Sequence, residues 1–174
     1  MNHETPTPLL DAQCEPNGRR WTLALVRELP HPPRTVWAAL TDPEQINRWA
    51  PYDADRDLGT TGGAVLTMVD GDQRHDLPAE VRRAEPPVLL AHTWGEDGLR
   101  WELAAAAAGT RLTLRHTTAD RDWLPQVAAG WHLCLDVLAR LLDGEPVQPI
   151  RGQSAMDHGW PALRDAYAAT LGPR

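Results

Sequence analysis

The order in which the spacing of apolar residues changes along the chain is the feature that most restricts its fold. Apolar and polar residues alternate over 21–29, which predicts a half-buried strand. Two short segments at helical spacing follow, then several short alternating segments, and finally one long amphipathic helix. This order suits a curved sheet that wraps around the last helix with space between them. The pattern therefore predicts an α+β fold with an internal cavity.

Prolines and one capping residue set the boundaries of the first elements. The proline cluster at 30–33 lacks the amide hydrogens that a strand ladder needs, so the strand ends there and Pro33 opens a helix. Asp42 before Pro43 predicts an N-cap followed by proline at the first helical position. The second helix then carries Trp49 inward. Two short helices are therefore predicted directly after the first strand.

Turn residues recur at short intervals from Asp57 to Gly109, and strands fill the gaps between them. These connections are too short for parallel crossovers, so the sheet is predicted to be largely antiparallel. The alanine run at 104–108 has high helix propensity but lies between two alternating segments, which predicts a strand end and a turn. The predicted strands are 64–69, paired with 79–84, then 89–94, joined through Asp97 and Gly98 to 99–105, and finally 110–117.

Apolar residues at helical spacing over 127–142 predict the long helix, and Gly144 predicts its end. Gly130 stands beside Trp131 and is predicted to let the helix approach the sheet or flex near a pocket mouth, because glycine costs ~1 kcal/mol in a helix interior relative to alanine. The residues predicted to face the sheet are Val127, Trp131, Leu135 and Leu138.

Length and composition limit the possible functions. The chain has 174 residues and one visible core, which predicts one folded domain over 19–144. A proline-containing arm at 1–18 is predicted to be flexible. The formal net charge of -7 and the absence of a basic cluster argue against nucleic-acid binding. No apolar run approaches the ~20 residues of a membrane span and no signal-peptide core is visible, so a cytoplasmic protein without membrane association is expected.

The residue types also exclude several kinds of catalysis. All 17 cationic residues are arginine, so neither a phosphate-loop lysine nor a Schiff-base lysine is present. Ser154 is the single serine and lies outside any nucleophile-elbow motif. The seven histidines and two cysteines lack zinc-ligand spacing, so no metal and no cofactor are predicted, and Cys14 and Cys134 are not expected to form a disulfide.

Several weak motifs occur together in a characteristic order. They are HPP-x-x-VW-x-ALTDP-x-x-x-x-x-W-x-P at 31–51, PP-x-x-L-x-x-TW at 86–94, GTRLTL at 109–114 and GW-x-x-x-LD-x-LA at 130–139. Over roughly 19–144 the chain resembles the START-like SRPBCC superfamily, and most of all the domain related to the activator of the heat-shock protein 90 ATPase. The tail from His158 to Tyr167 resembles an extension seen in bacterial members, which implies that 145–174 is an extension that packs on this domain. The resemblance implies a helix-grip fold, with a curved antiparallel sheet, two short helices and a long C-terminal helix over a cavity. Relatives bind lipids, polyketides or hormones, and some are cyclases or aromatases.

The predicted inner face of the sheet supplies the candidate ligand site. Arg27, His92 and His116 are its polar members, and burying them requires partners. Either Arg27 pairs with an acidic side chain and the histidines bond backbone carbonyls, or the three side chains orient an apolar ligand. The predicted ligand-binding residues are Trp21, Leu25, Arg27, Leu90, His92, Trp94, Trp101, Leu112, Leu114, His116, Val127, Trp131 and Leu135.

Three functions are open at this stage. Binding of a hydrophobic small molecule without catalysis is favoured, because no catalytic constellation is recognisable and no catalytic residue is predicted. A cyclase-like or hydrolytic enzyme would use Arg27 to stabilise an oxyanion and His92 or His116 as acid or base. Regulation of a chaperone ATPase through a protein partner follows from the resemblance alone. The sequence is compatible with a monomer and with a homodimer.

Overall fold

A computed structural model describes residues 8–172 and shows one eight-stranded antiparallel sheet with helices against it. The strand order across the sheet is β1-β2-β8-β7-β6-β5-β4-β3. The strands are β1 (Asp11–Asn17), β2 (Arg20–Leu29), β3 (Tyr52–Ala54), β4 (Gly62–Asp70), β5 (Gln73–Glu85), β6 (Leu89–Trp94), β7 (Asp97–Ala106) and β8 (Gly109–Thr118). The helices are α1 (Pro33–Thr41), α2 (Pro43–Trp49), α3 (Leu124–Leu142) and α4 (Trp160–Leu171), with single 3-10 segments at Arg121–Trp123 and Gly152–His158.

The two short helices begin and end where the capping signals predict. Asp42 caps α2, because its side-chain Oδ1 accepts a hydrogen bond of 3.0 Å from the backbone N–H of Glu44. Pro43 occupies the first turn of that helix. Thr41 ends α1, and its hydroxyl donates to the carbonyl of Trp37 at 2.9 Å. The prediction for this segment is confirmed.

The strand pairings differ from the prediction in register and in length. Residues 64–69 pair with 74–79 instead of the predicted 79–84, because Gly71 adopts a φ of +60° and permits a tight hairpin turn, so that β5 begins at Gln73. In the β6–β7 hairpin, Asp97 already pairs with Trp94, so the turn precedes Asp97. Both corrections add polar residues to strands. Polar strand ends carry no alternation, which is why the pattern missed them.

The N-terminal segment is the larger correction to the predicted arm. Residues 11–17 form strand β1, which pairs with β2 from Asp11 opposite Val26 to Asn17 opposite Arg20. Backbone hydrogen bonds hold this edge strand, and its side chains are mostly exposed, so no apolar alternation marks it. Pro16 is tolerated because an edge strand leaves one row of amides unpaired. Residues 1–7 of the predicted arm lie outside the described residues.

The core lies between the inner face of the sheet and α3. Leu25, Leu114, Leu135 and Leu138 are all at most 1% exposed. α4 packs on α3 and also contacts β1, and Tyr167 of α4 is fully buried. No helix within residues 8–172 is both long and apolar enough to cross a membrane. The helix-grip architecture implied by the resemblance is confirmed.

Candidate functional site

A cavity of about 380 Å³ lies between α3, the β4–β5 hairpin and residues 150–160. Its most buried lining residues are His116, Trp131, Leu133 and Cys134, which identify the deep end. Its most exposed lining residues are Asp70, Gln73, His75 and Gly152, which identify the mouth. Pockets of ~300–1,000 Å³ are the usual size for small ligands in proteins. The cavity is therefore large enough for a small organic molecule.

Two hydrogen bonds fix the imidazole of His116 at the deep end. Nε1 of Trp131 donates to Nδ1 of His116 at 2.9 Å, so that nitrogen is the acceptor and Nε2 carries the hydrogen. Nε2 then donates to Oδ2 of Asp97 at 2.8 Å. Burial alone would raise the pKa of Asp97, but the hydrogen bonds from His116 and Thr118 and the nearby Arg20 hold it below its usual value. Both ring nitrogens of His116 are therefore engaged in hydrogen bonds.

His92 on β6 also accepts a hydrogen bond from a tryptophan, but it does not line the cavity. Nε1 of Trp101 donates to Nε2 of His92 at 3.2 Å, and Nδ1 of His92 lies 3.0 Å from the carbonyl oxygen of Thr93. Burial is the main reason why the pKa of His92 falls to about 4, while the bond to Thr93 opposes the shift and the neighbouring His116 adds to it. His92 is therefore neutral near pH 7 and serves as a hydrogen-bonded core residue.

Aromatic side chains surround the deep end of the cavity. Trp131 contacts Trp94 and Trp101 with ring centroids 6.0 and 5.3 Å apart, and Trp94 contacts Tyr52 at 5.2 Å. These edge-on geometries are favourable for aromatic pairs. Nε1 of Trp94 is buried and has no hydrogen-bond partner among the described residues. Burial also raises the pKa of the Cys134 thiol to about 12, so this cysteine lines the cavity as a neutral side chain.

Arg27 belongs to a second polar network, away from the cavity. Its Nη1 lies 2.5 Å from Oδ1 of Asp136 on α3. The other oxygen of Asp136 lies 3.4 Å from Nε2 of His132, whose Nδ1 is 2.7 Å from the hydroxyl of Tyr167. That hydroxyl accepts a hydrogen bond of 2.9 Å from the backbone N–H of Leu10. The network joins β2, α3, α4 and the segment before β1.

The structure brings four of the thirteen predicted ligand-binding residues to the cavity. They are Trp94, His116, Val127 and Trp131. The other nine do not line it, because their side chains are used in core packing, in the Arg27 network or, for Trp21, in a contact with the guanidinium of Arg121 at 5.6 Å. These nine are Trp21, Leu25, Arg27, Leu90, His92, Trp101, Leu112, Leu114 and Leu135.

Two groups of cavity residues have no counterpart in the sequence prediction. The β4–β5 hairpin contributes Asp70, Gln73 and His75, and the segment after α3 contributes residues from Ile150 to Trp160. The isolated apolar residues of that segment are the one signal that could have pointed to it. Gly130 also lines the cavity, but a Cβ there would meet nothing within 4 Å, so the predicted close approach of α3 to the sheet at this glycine is wrong.

Across residues 8–172, no three histidine, cysteine, aspartate or glutamate side chains come together in an arrangement that could hold a metal ion. Both cysteines are free, and Cys14 on β1 lies far in sequence from Cys134 on α3. What the cavity offers chemically is apolar and aromatic surface at its deep end and hydrogen-bonding side chains at its mouth.

A curved antiparallel sheet that holds a long helix, with a cavity beside that helix, defines a helix-grip protein of the START-like SRPBCC class. Residues 30–143 match the family model described as Activator of Hsp90 ATPase homolog 1-like protein, and the chain belongs to this family. Comparison with curated proteins gives no match.

Solved structures share the fold. CalU16 from Micromonospora echinospora is 24% identical with a TM-score of 0.69, and the alignment covers 94% of this chain and 98% of that chain. DynU16, described as a putative protein in the dynemicin biosynthetic locus, is 28% identical with a TM-score of 0.65, covering 76% of this chain and 51% of that chain. An AHSA1-like protein from Aeromonas hydrophila is 21% identical with a TM-score of 0.61, covering 71% and 92%.

Proposed function

We propose that this protein binds an apolar small molecule in the cavity beside α3 and does not transform it. The observation that carries the proposal is a cavity of about 380 Å³ whose deep end is formed by Trp131, Leu133 and Cys134. Burying apolar ligand surface there contributes roughly 25 cal/mol per Å². The polar residues at the mouth would orient the exposed end of the ligand.

The state of the candidate catalytic groups supports binding without chemistry. A general base needs a nitrogen that can accept a proton from the substrate, and Nδ1 of His116 already accepts from Trp131. The Cys134 thiol is kept protonated by burial, which removes its nucleophilic form near pH 7. Arg27 pairs with Asp136 and does not line the cavity, so it is not positioned to stabilise an oxyanion there.

Native mass spectrometry of the purified protein and a thermal-shift screen of fatty acids, sterols and aromatic polyketides test the proposal. The neutral fluorophore N-phenyl-1-naphthylamine serves as a general probe of the cavity. Gly130→Leu places a side chain in the open space of the cavity and is expected to weaken probe binding about tenfold or more. Arg140→Leu, on the exposed surface of the same helix, is the matched control and is expected to leave binding unchanged.

Failure of the wild-type protein to bind any member of the screen would contradict the proposal. Equal probe affinity in Gly130→Leu and the wild type would also contradict it, because the probe would then lie elsewhere. A fold check by circular dichroism on each variant separates loss of the cavity from loss of structure.

Enzymatic conversion is a second candidate, favoured by one observation. The imidazole of His116, which lines the cavity, forms a hydrogen-bonded pair with the carboxylate of Asp97, a combination that enzymes use for proton transfer. Catalysis would require Trp131 to release Nδ1 of His116 when the ligand binds. Incubation of each bound compound with the wild type and with His116→Gln, followed by mass analysis, distinguishes the candidates, because only an enzyme yields a product that the variant does not form.

A further inference from the structure

We infer that residues 150–160, which lie outside the family-matching region, form the wall of the cavity that determines which ligands this protein accepts. The inference rests on the proposed function and concerns the same cavity. The family model ends at residue 143, whereas Ile150, Ala155 and Trp160 all line the cavity. The shape of the cavity therefore depends on a part of the chain that the shared domain does not supply. We call residues 150–160 the outer wall.

One end of the outer wall is tied to the region between α2 and β3. Nε of Arg151 donates to the carbonyl of Ala50 at 2.9 Å, and Nη2 donates to the carbonyl of Tyr52 at 3.0 Å. Nη2 also lies 2.9 Å from Oδ1 of Asp53, and the Arg151 side chain is only 12% exposed. Charge-assisted hydrogen bonds to a guanidinium with this geometry fix its position well. This end of the outer wall is therefore fixed relative to the region between α2 and β3.

The mouth of the cavity provides a second tie. Oδ1 of Asp70 on β4 accepts a hydrogen bond of 3.2 Å from the backbone N–H of Gln153. Gly152 has a φ of +55°, and a Cβ at this position would lie 2.2 Å from Oδ1 of Asp70. Glycine alone permits this approach, because every other residue would both strain the backbone and collide with the carboxylate.

The outer wall ends at Trp160, which is the first residue of α4. The guanidinium of Arg164 lies 5.2 Å from the centre of the Trp160 ring, and α4 is anchored on α3 by the fully buried Tyr167. Between these anchors, none of the residues of Gly152–His158 is buried. Ala155 and Trp160 are thus held in place by flanking contacts and can be exchanged without opening the core between the sheet and α3.

Two neutral probes that differ by one phenyl ring measure the effect of the outer wall on selectivity. They are 1-naphthylamine and N-phenyl-1-naphthylamine, and the quantity measured is the ratio of their dissociation constants. Ala155→Leu narrows the cavity. It is expected to raise the dissociation constant of the larger probe about tenfold and to change that of the smaller probe less than about threefold. Trp160→Ala widens the cavity and is expected to shift the ratio in the opposite direction.

Ala168→Leu is the matched control, because Ala168 is exposed on α4 and does not line the cavity. It is expected to leave both dissociation constants within about twofold of the wild type. Ala155→Val repeats the test with a smaller change if Ala155→Leu does not fold. Circular dichroism and thermal unfolding establish the folded state of each variant.

An unchanged ratio in folded Ala155→Leu, Ala155→Val and Trp160→Ala overturns the inference. If the wild type binds a probe and Gly130→Leu blocks it in that case, the proposed function still holds and only the role of the outer wall is rejected. If the wild type binds neither probe and no compound of the screen, both are rejected.

Discussion

The indole N–H of Trp131 points at the imidazole of His116 and donates to its Nδ1 at 2.9 Å. Both residues are 3% exposed, and both line the deep end of the cavity. Because Nε2 of His116 is bound to Asp97, this contact completes a chain from α3 through β8 to the start of β7. The long helix is therefore attached to the sheet by a buried polar contact as well as by packing. Changes at Trp131 should alter both stability and the cavity.

Trp131→Ala and Trp131→Phe separate these two contributions. Removing the buried ring is expected to destabilise the fold by ~3–5 kcal/mol and to enlarge the cavity. Trp131→Phe keeps most of the ring but removes the donor to His116, which is expected to cost ~1–3 kcal/mol. Urea unfolding measures the stabilities, and probe titration measures selectivity. Stability loss in Trp131→Ala without any change in selectivity would make Trp131 a core residue with no part in ligand choice.

The lowered pKa of His92 leads to a specific expectation for the pH dependence of stability. Burial lowers its pKa from 6.5 to about 4 in the folded state, so the unfolded chain binds more protons between these values. The contribution of neutral His92 to the free energy of unfolding is fully present above pH ~6.5 and is lost as the pH falls towards 4. At ~1.36 kcal/mol per pKa unit, this contribution is about 3 kcal/mol. His92→Gln is expected to show a shallower fall in the free energy of unfolding over this interval. Parallel pH curves for the two proteins would contradict the assignment.

The fold could be predicted because its signals are local. The alternation in β2, the cap at Asp42 and the apolar face of α3 each depend on residues only a few positions apart. β1 gave no such signal, because an exposed edge strand is defined by backbone pairing with β2. The beginning of β5 at Gln73 was missed for a related reason, since its first residues are polar and exposed.

The site was less predictable because it depends on contacts between distant parts of the chain. Strand parity correctly placed His116 on the inner face, but it cannot tell which inner residues face the cavity and which pack in the core. Arg151 reaches Ala50 across about a hundred positions, and no local pattern encodes that contact. The alternative in which Arg27 pairs with an acidic side chain is the one found, and the structure identifies that side chain as Asp136. His92 bonds a backbone carbonyl, as expected, but His116 bonds the carboxylate of Asp97 instead. Each imidazole also accepts a hydrogen bond from a tryptophan, which was not predicted.

Tyr167→Phe tests the network that anchors α4. The hydroxyl of Tyr167 accepts from the backbone N–H of Leu10 and lies 2.7 Å from Nδ1 of His132, and burial raises its pKa to about 12, so it stays protonated. Its removal leaves the Leu10 amide without this acceptor and is expected to cost ~1–3 kcal/mol.

Hydrogen exchange provides a local measurement of the same change. The Leu10 amide is expected to exchange faster in Tyr167→Phe, whereas an amide in the middle of β2, such as that of Leu25, should change only as global stability does. Unchanged exchange at Leu10 would show that the hydroxyl does not hold this segment.

Gly152→Ala tests the tie between the outer wall and β4. A methyl group at this position would lie within 2.8 Å of the carboxylate and Cβ of Asp70, so one of the two segments must move. Gly144→Ala is the matched control, because Gly144 also has a positive φ, of +83°, but a Cβ there meets nothing within 4 Å. Placing alanine at a positive φ costs ~1 kcal/mol of stability, and this cost is common to both variants.

The expected difference between the two variants lies in the mouth of the cavity. Gly152→Ala should lower the melting temperature more than Gly144→Ala and should accelerate both association and dissociation of N-phenyl-1-naphthylamine, since the outer wall loses its bond from Gln153 to Asp70. Stopped-flow fluorescence measures both rates. Equal rates and equal melting temperatures in the two variants would show that the contact with Asp70 does not hold the outer wall in place.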